Sequence, residues 1–217
     1  MLRKIVNQVY KGEKGITGLE TAIILIAFVV VAAVFAYTVL SAGLFATQKS
    51  QEAVYAGLKE ARSTLELRGG VIATANSTGA SGDIKQITFT VSGVLGGEAI
   101  DFTAPTADNA TGKALATSTN KVVINYVDKD QSEDDLFWTV TKLGTDDGDD
   151  LLEQNEKFQI TIGASTTGSG AGNLCDALST ALTVNKTFSI IVSTPVGAVL
   201  EIERTTPAYI DSIMNLH

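Results

Sequence analysis

The chain has 217 residues, 24 of them acidic and 16 basic, for a net charge of −8. That length allows one globular domain with a real core plus an extra element. An acidic balance without a basic stripe argues against nucleic acid as a partner. The single cysteine, Cys175, rules out an intrachain disulfide. It sits in the glycine-rich segment 168–175 and reads as a small unpaired residue near a loop rather than a linking or reactive thiol. Stability must therefore come from packing and assembly.

The first element is a charged leader over residues 1–15, made basic by Arg3, Lys4, Lys11 and Lys14. Such a segment stays on the cytoplasmic side while an apolar run enters the bilayer. A secretory signal places its cleavage site after the apolar region. Here the site read from Lys14-Gly15/Ile16 precedes it. Cutting between Gly15 and Ile16 would remove the basic anchor and leave the apolar segment on the mature protein. Gly15 suits a peptidase that must approach the backbone closely.

From Thr21 to Ala46 there is no charge and no proline. As a helix this stretch reaches ~39 Å, enough to span the hydrocarbon layer with some tilt. It is apolar on all sides, so lipid or protein must surround it. Beyond Thr47 the pattern becomes amphipathic, with Val54, Leu58, Ala61 and Leu65 on one face. The spacing predicts one helix over residues 16–68, closed by Gly69-Gly70 and resting its second half against the following domain. Once outside the membrane, such a helix finds an apolar environment only among copies of itself. A head-to-tail contact that never closes gives a filament. Glu20 is the one carboxylate in this environment, and an unpaired one there is costly. The new amine at Ile16 of a neighbouring subunit would pair with it and set the register of assembly.

Residues 69–217 switch to two-residue periodicity. Ile87, Phe89 and Val91; Val122, Ile124 and Tyr126; Trp138 and Val140; Phe158, Ile160 and Ile162; Phe188, Ile190 and Val192; and Ala198, Leu200 and Ile202 each recur at every second position, with mostly polar residues between them. Gly, Asn, Asp and Ser clusters separate the runs. The fold class expected is α+β, with a long N-terminal hydrophobic helix followed by an antiparallel immunoglobulin-like β-sandwich. Trp138 reads as a core aromatic between the sheets.

The residues Lys14-Gly15-Ile16-Thr17-Gly18-Leu19-Glu20-Thr21-Ala22 resemble the class III signal junction of the type IV pilin-like superfamily, and among its members the archaellins, or archaeal flagellins. The likeness runs through Phe28 and Ala32 to Leu44 and returns in Pro195-Val196-Gly197-Ala198-Val199-Leu200-Glu201-Ile202-Glu203-Arg204-Thr205. The resemblance implies a structural subunit of the archaeal flagellum (archaellum) filament, serving swimming and adhesion. It implies trimming by a membrane-embedded prepilin-type peptidase and extraction by a membrane platform with an ATPase motor. The precursor would lie in the cytoplasmic membrane and the product in an extracellular homopolymer alongside other filament subunits. The rival readings are a type IV adhesion pilin, alike up to Gly70, and a membrane-anchored extracellular binding module.

Three Asn-x-Thr triplets, at Asn76, Asn109 and Asn185, are acceptor candidates for N-linked glycans. Asn185 borders a strand and reads as the more buried of them. Two acidic clusters, residues 128–135 and 146–150, have carboxylates for a structural calcium ion but lack the EF-hand spacing. They also read as solvated turns. The cation held in the outer domain of some archaellins points to the second cluster: Asp146, Asp147, Asp149, Asp150 and Glu153. The one histidine is His217, so histidine-based catalytic and metal arrangements are absent from the sequence. The phosphate-loop pattern is absent too. The sequence does not read as an enzyme, and it requires no cofactor.

Overall fold

The structure, a computed structural model, describes residues 18–94, 97–108, 111–163 and 172–216. The chain forms two compact units, Met1–Tyr55 and Ala56–His217. Helix α1 runs Gly18–Arg62, with Glu20 in its first turn and Lys59 and Arg62 in its last. Those signs favour the helix dipole at both ends. No residue of α1 is buried.

The helix ends sooner than its spacing predicts. Ser63 Oγ donates to the Lys59 carbonyl at 2.9 Å and Thr64 Oγ1 to that of Ala61 at 3.1 Å. The Lys59 carbonyl accepts both the amide and the hydroxyl of Ser63, while the Thr64 hydroxyl takes the Ala61 carbonyl that the next turn of helix would have used. Strand β1 then runs Leu65–Ser77, with Leu65 opposite Gly93 and Leu67 opposite Val91 on the next strand. Leu65 thus satisfies a helical spacing from Ala61 and a two-residue spacing to Leu67, and pairing with the sheet decides between them. Gly69-Gly70 does not close a helix. Gly69 has φ +85°, and the register shifts between Arg68 and Ile72, so the pair forms a bulge within β1. The helix therefore gives way to strand near residue 64 rather than between 68 and 69. Leu58, expected against the following domain, remains exposed.

The remaining strands are β2 (Asp83–Gly93), β3 (Ile100–Asp101), β4 (Val123–Asp128), β5 (Ser132–Glu133), β6 (Trp138–Leu143), β7 (Leu151–Leu152), β8 (Lys157–Ile162), β9 (Thr187–Ser193), β10 (Leu200–Thr205) and β11 (Ile213–Leu216). One helical turn, α2, covers Leu174–Ala177. All strand pairs are antiparallel. One sheet has the order β11-β1-β2-β8-β6, a second has β10-β9-β4-β5, and β3 pairs with β7. Side chains from both large sheets make a single core, so the second unit carries the expected sandwich.

The alternating residues face that core: Ile87, Phe89, Val91, Phe158, Ile160 and Ile162 from one sheet, and Ile124, Tyr126, Phe188, Ile190, Val192 and Ile202 from the other. Ala198 departs from the pattern, lying exposed before β10 begins. Trp138 is fully buried and meets Phe102 edge-on at 6.0 Å, while Phe102 meets Phe158 in the same manner at 5.9 Å. On the opposite face of the larger sheet, threonines stand side by side across strands, with Thr88 and Thr161 hydroxyls 3.2 Å apart. The result is a polar exterior that carries little charge.

Candidate assembly surface

The two units differ in where their apolar side chains go. From Leu19 to Leu58 every large apolar side chain of α1 is exposed, with Phe28 and Tyr37 each at 73%. Phe89 in the sandwich is at 1%. Covering a side chain of this size is worth ~1.5–3 kcal/mol, so the helix leaves on the order of tens of kcal/mol of burial unrealised. By length and composition α1 can cross a bilayer. Its surroundings must therefore be lipid or other protein chains. Glu20 lies exposed in its first turn. Gly15 and Ile16, the expected cleavage pair, lie outside the described residues.

At the other end of α1, two loops close on its last carbonyls. A Cβ on Gly197, where φ is +106°, would stand 1.9 Å from the Ser63 carbonyl oxygen. One on Gly97 would stand 2.3 Å from that of Arg62. Only glycine permits these approaches. Lys59 reaches Glu98 of the same loop at 2.8 Å. The sequence singles out Gly197 within its C-terminal motif but gives no sign of this packing, because the contact partners are far apart along the chain.

A sequence profile described as archaeal-type flagellin matches residues 15–204, from the junction glycine to the last charged residue of β10. The chain belongs to the archaeal-type flagellins. Probable flagellin 1 of Archaeoglobus fulgidus is 39% identical over 211 residues, covering 95% of this chain and 96% of that one. Probable flagellin 2 of the same organism is 40% identical over 205 residues, with 91% of each covered. Among solved structures, the archaeal flagellum of Methanospirillum hungatei strain JF1 superposes with a TM-score of 0.58 at 28% identity, covering 93% of this chain and 99% of that one. This flagellin is accordingly a structural subunit that polymerises into the archaeal flagellar filament. The exposed helix is the surface that such assembly requires.

The acidic clusters of this flagellin order its turns. Asp128 accepts from the Tyr126 hydroxyl at 2.7 Å, from the Asp130 and Gln131 amides at 2.7 and 2.9 Å, and from Gln131 Nε2 at 3.1 Å. Burial pushes the Asp128 carboxyl up, but those donors outweigh it and hold it below the usual carboxylate range. The Tyr126 hydroxyl is pushed far upward by burial and by its bond to Asp128. Gln131 extends the network, donating to the Thr180 carbonyl at 2.6 Å and accepting from Ser179 Oγ at 2.8 Å.

In the second cluster, Asp147 accepts from the Asp149 amide at 3.2 Å and Asp149 from the Leu151 amide at 2.8 Å. Asp150 pairs with Lys142 at 3.1 Å. The Glu153 amide donates to Glu156, and Asp146 lies exposed at the start of the loop. Among the described residues no three His, Cys, Asp or Glu side chains gather as metal ligands.

The three glycosylation candidates have different fates. Asn76 is exposed at the end of β1, and its Nδ2 donates to Asp83 at 3.0 Å. Asn185, expected to be the more buried, is exposed in a turn with φ +55°. The turn lifts it clear of β9, whose inward residues begin at Phe188. Asn109 lies outside the described residues, as does His217. Cys175 occupies α2, half-buried and free, with its thiol pushed up by burial and by Asp176 and Asp83.

Proposed function

We propose that this flagellin is made as a membrane-held precursor, cut between Gly15 and Ile16 by a prepilin-type peptidase, and transferred by its α1 helix from the bilayer into a bundle of α1 helices. The observation that carries this reading is a 45-residue helix with no buried residue, preceded in the sequence by a basic leader. The sandwich then forms the outer shell of an extracellular filament at the cell surface. Rotation of that filament by a membrane platform and ATPase motor drives swimming, and the same surface serves adhesion. The work of the chain is mechanical, with no catalytic step.

Within the bundle, Glu20 pairs with the Ile16 amine of a neighbouring subunit. A buried opposite-charge pair of this kind sets register, and losing one member is costly. Of the described sequons, Asn185 is the better acceptor for an N-linked glycan, since Asn76 spends its amide on Asp83. The terminal residue of protein recovered from sheared surface fibres tests the main step. Ile16 supports cleavage before assembly, and Met1 or an internal residue past α1 opposes it.

A further inference from the structure

Beside the end of α1 the sandwich unit carries an open cavity of about 240 Å³. Ala99, Ile100, Pro195 and Val196 line it, together with the charged Asp101 and Lys121. The walls are fixed in place. The Gly97 and Gly197 backbones press on the Arg62 and Ser63 carbonyls, and Lys59 holds Glu98, so both lining loops are tied to the helix end. Thr103 donates to Asp101 through its amide at 2.9 Å and its hydroxyl at 2.6 Å, which orients that carboxylate. The cavity is thus preformed and lined by both apolar and charged side chains, a match for an aromatic ring with a polar tip.

We propose that this cavity receives Tyr55 from the α1 helix of a second copy of the chain. Two observations select that occupant. The cavity adjoins the residues that end α1, so it continues the surface through which the subunits polymerise. Tyr55 is 70% exposed and is the one aromatic side chain on α1 beyond Phe45, in a stretch otherwise of small, polar, charged and aliphatic residues. Seated in the cavity, its ring covers Ile100 and Val196 and its hydroxyl reaches Asp101 or Lys121. The contact adds a second fix on the axial offset between neighbouring subunits, at the opposite end of α1 from the Glu20–Ile16 pair.

This contact rests on the polymer described above, and cross-linking within intact filaments separates the two. In a Cys175→Ser background, Tyr55→Cys and Val196→Cys are combined, and filaments are sheared from cells and treated with a short flexible bis-maleimide. The linker spans the gap that the tyrosine ring fills, so it reports proximity without the Cβ separation of about 3.5–4.5 Å that a disulfide needs. The expected result is conversion of most subunits to dimers and higher multimers on non-reducing gels, with neither single-cysteine variant doing so. Filaments of normal length that yield monomer alone would overturn the contact while leaving the subunit role intact.

A second variant covers failure of the cysteine pair to assemble. Ala99 is exposed on the cavity wall, so Ala99→Trp plugs the cavity without entering the core. Filament yield should fall at least ten-fold with the sandwich melting temperature unchanged, and adding Tyr55→Ala should recover part of the yield. Normal filaments from Ala99→Trp alone would overturn the proposal.

Discussion

The helix and the sandwich solve opposite problems with similar side chains. In the sandwich Phe89, Phe158 and Ile160 each have a neighbour across the sheet or from the facing sheet, and the core is completed within one chain. In α1, Phe28, Phe35 and Leu40 have none, although they are as apolar. The difference shows that the sandwich is specified by its own sequence, whereas the helix is specified jointly with its surroundings. A single chain is therefore an incomplete unit of stability, and polymerisation finishes the burial that folding began.

The comparison breaks first at the leader. Gly15→Val should leave the precursor uncut, with loss of all surface filaments and retention in the membrane fraction; intact mass and electron microscopy of cell surfaces check it. Glu20→Gln should come next, reducing filament abundance at least ten-fold while the sandwich melts normally. Normal abundance in that variant would end the pairing with Ile16.

In the sandwich, Phe158→Ala should cost about 3–5 kcal/mol of folding stability, measured by denaturant unfolding. The matching change in the helix, Phe35→Ala, should leave the melting of the isolated subunit in detergent unaltered and weaken only the polymer. A smaller effect is expected of Asp128→Ala, about 1–2 kcal/mol, from losing its turn bonds. The pH dependence follows from the same group. Asp128 has a carboxyl lowered from its ordinary value of 3.8, so its stabilisation is complete above that value and is lost as pH falls below it. Wild-type sandwich should therefore lose more stability below about pH 4 than the Asp128→Asn variant. Smallest of all is the response to chelator. With Asp149 and Asp150 engaged by Leu151 and Lys142, melting temperatures with calcium and with chelator should agree within a degree or so, on the order of the effect of an exposed surface group.

Much of this architecture was legible in the residues, for reasons that differ along the chain. The core strands are legible because burial on one face enforces alternation, as Phe158, Ile160 and Ile162 show with Gln159 and Thr161 between them. The helix was legible from the absence of charge between Thr21 and Ala46. Its end was not, because Leu65 fits both periods and only pairing with Gly93 resolves them. Strand β11 and the short β3 and β7 escaped notice because pairs such as Ile100–Asp101 are too brief to show a period. The glycine clamp at Ser63 was hidden for another reason: residues 63 and 197 meet only through the fold. Asn185 does border a strand with a buried inward face, and its own exposure rests on a positive φ that no residue spacing reveals.

The most direct test asks whether assembly covers the helix. Phe35→Cys in a Cys175→Ser background places one thiol at the middle of α1, and intact sheared filaments are then exposed to a water-soluble maleimide. Labelling at least a hundred-fold slower than in detergent-dispersed subunits is expected. Filaments that label as fast as the dispersed protein would show that α1 stays open to solvent after assembly and would contradict the burial of the helix by its neighbours.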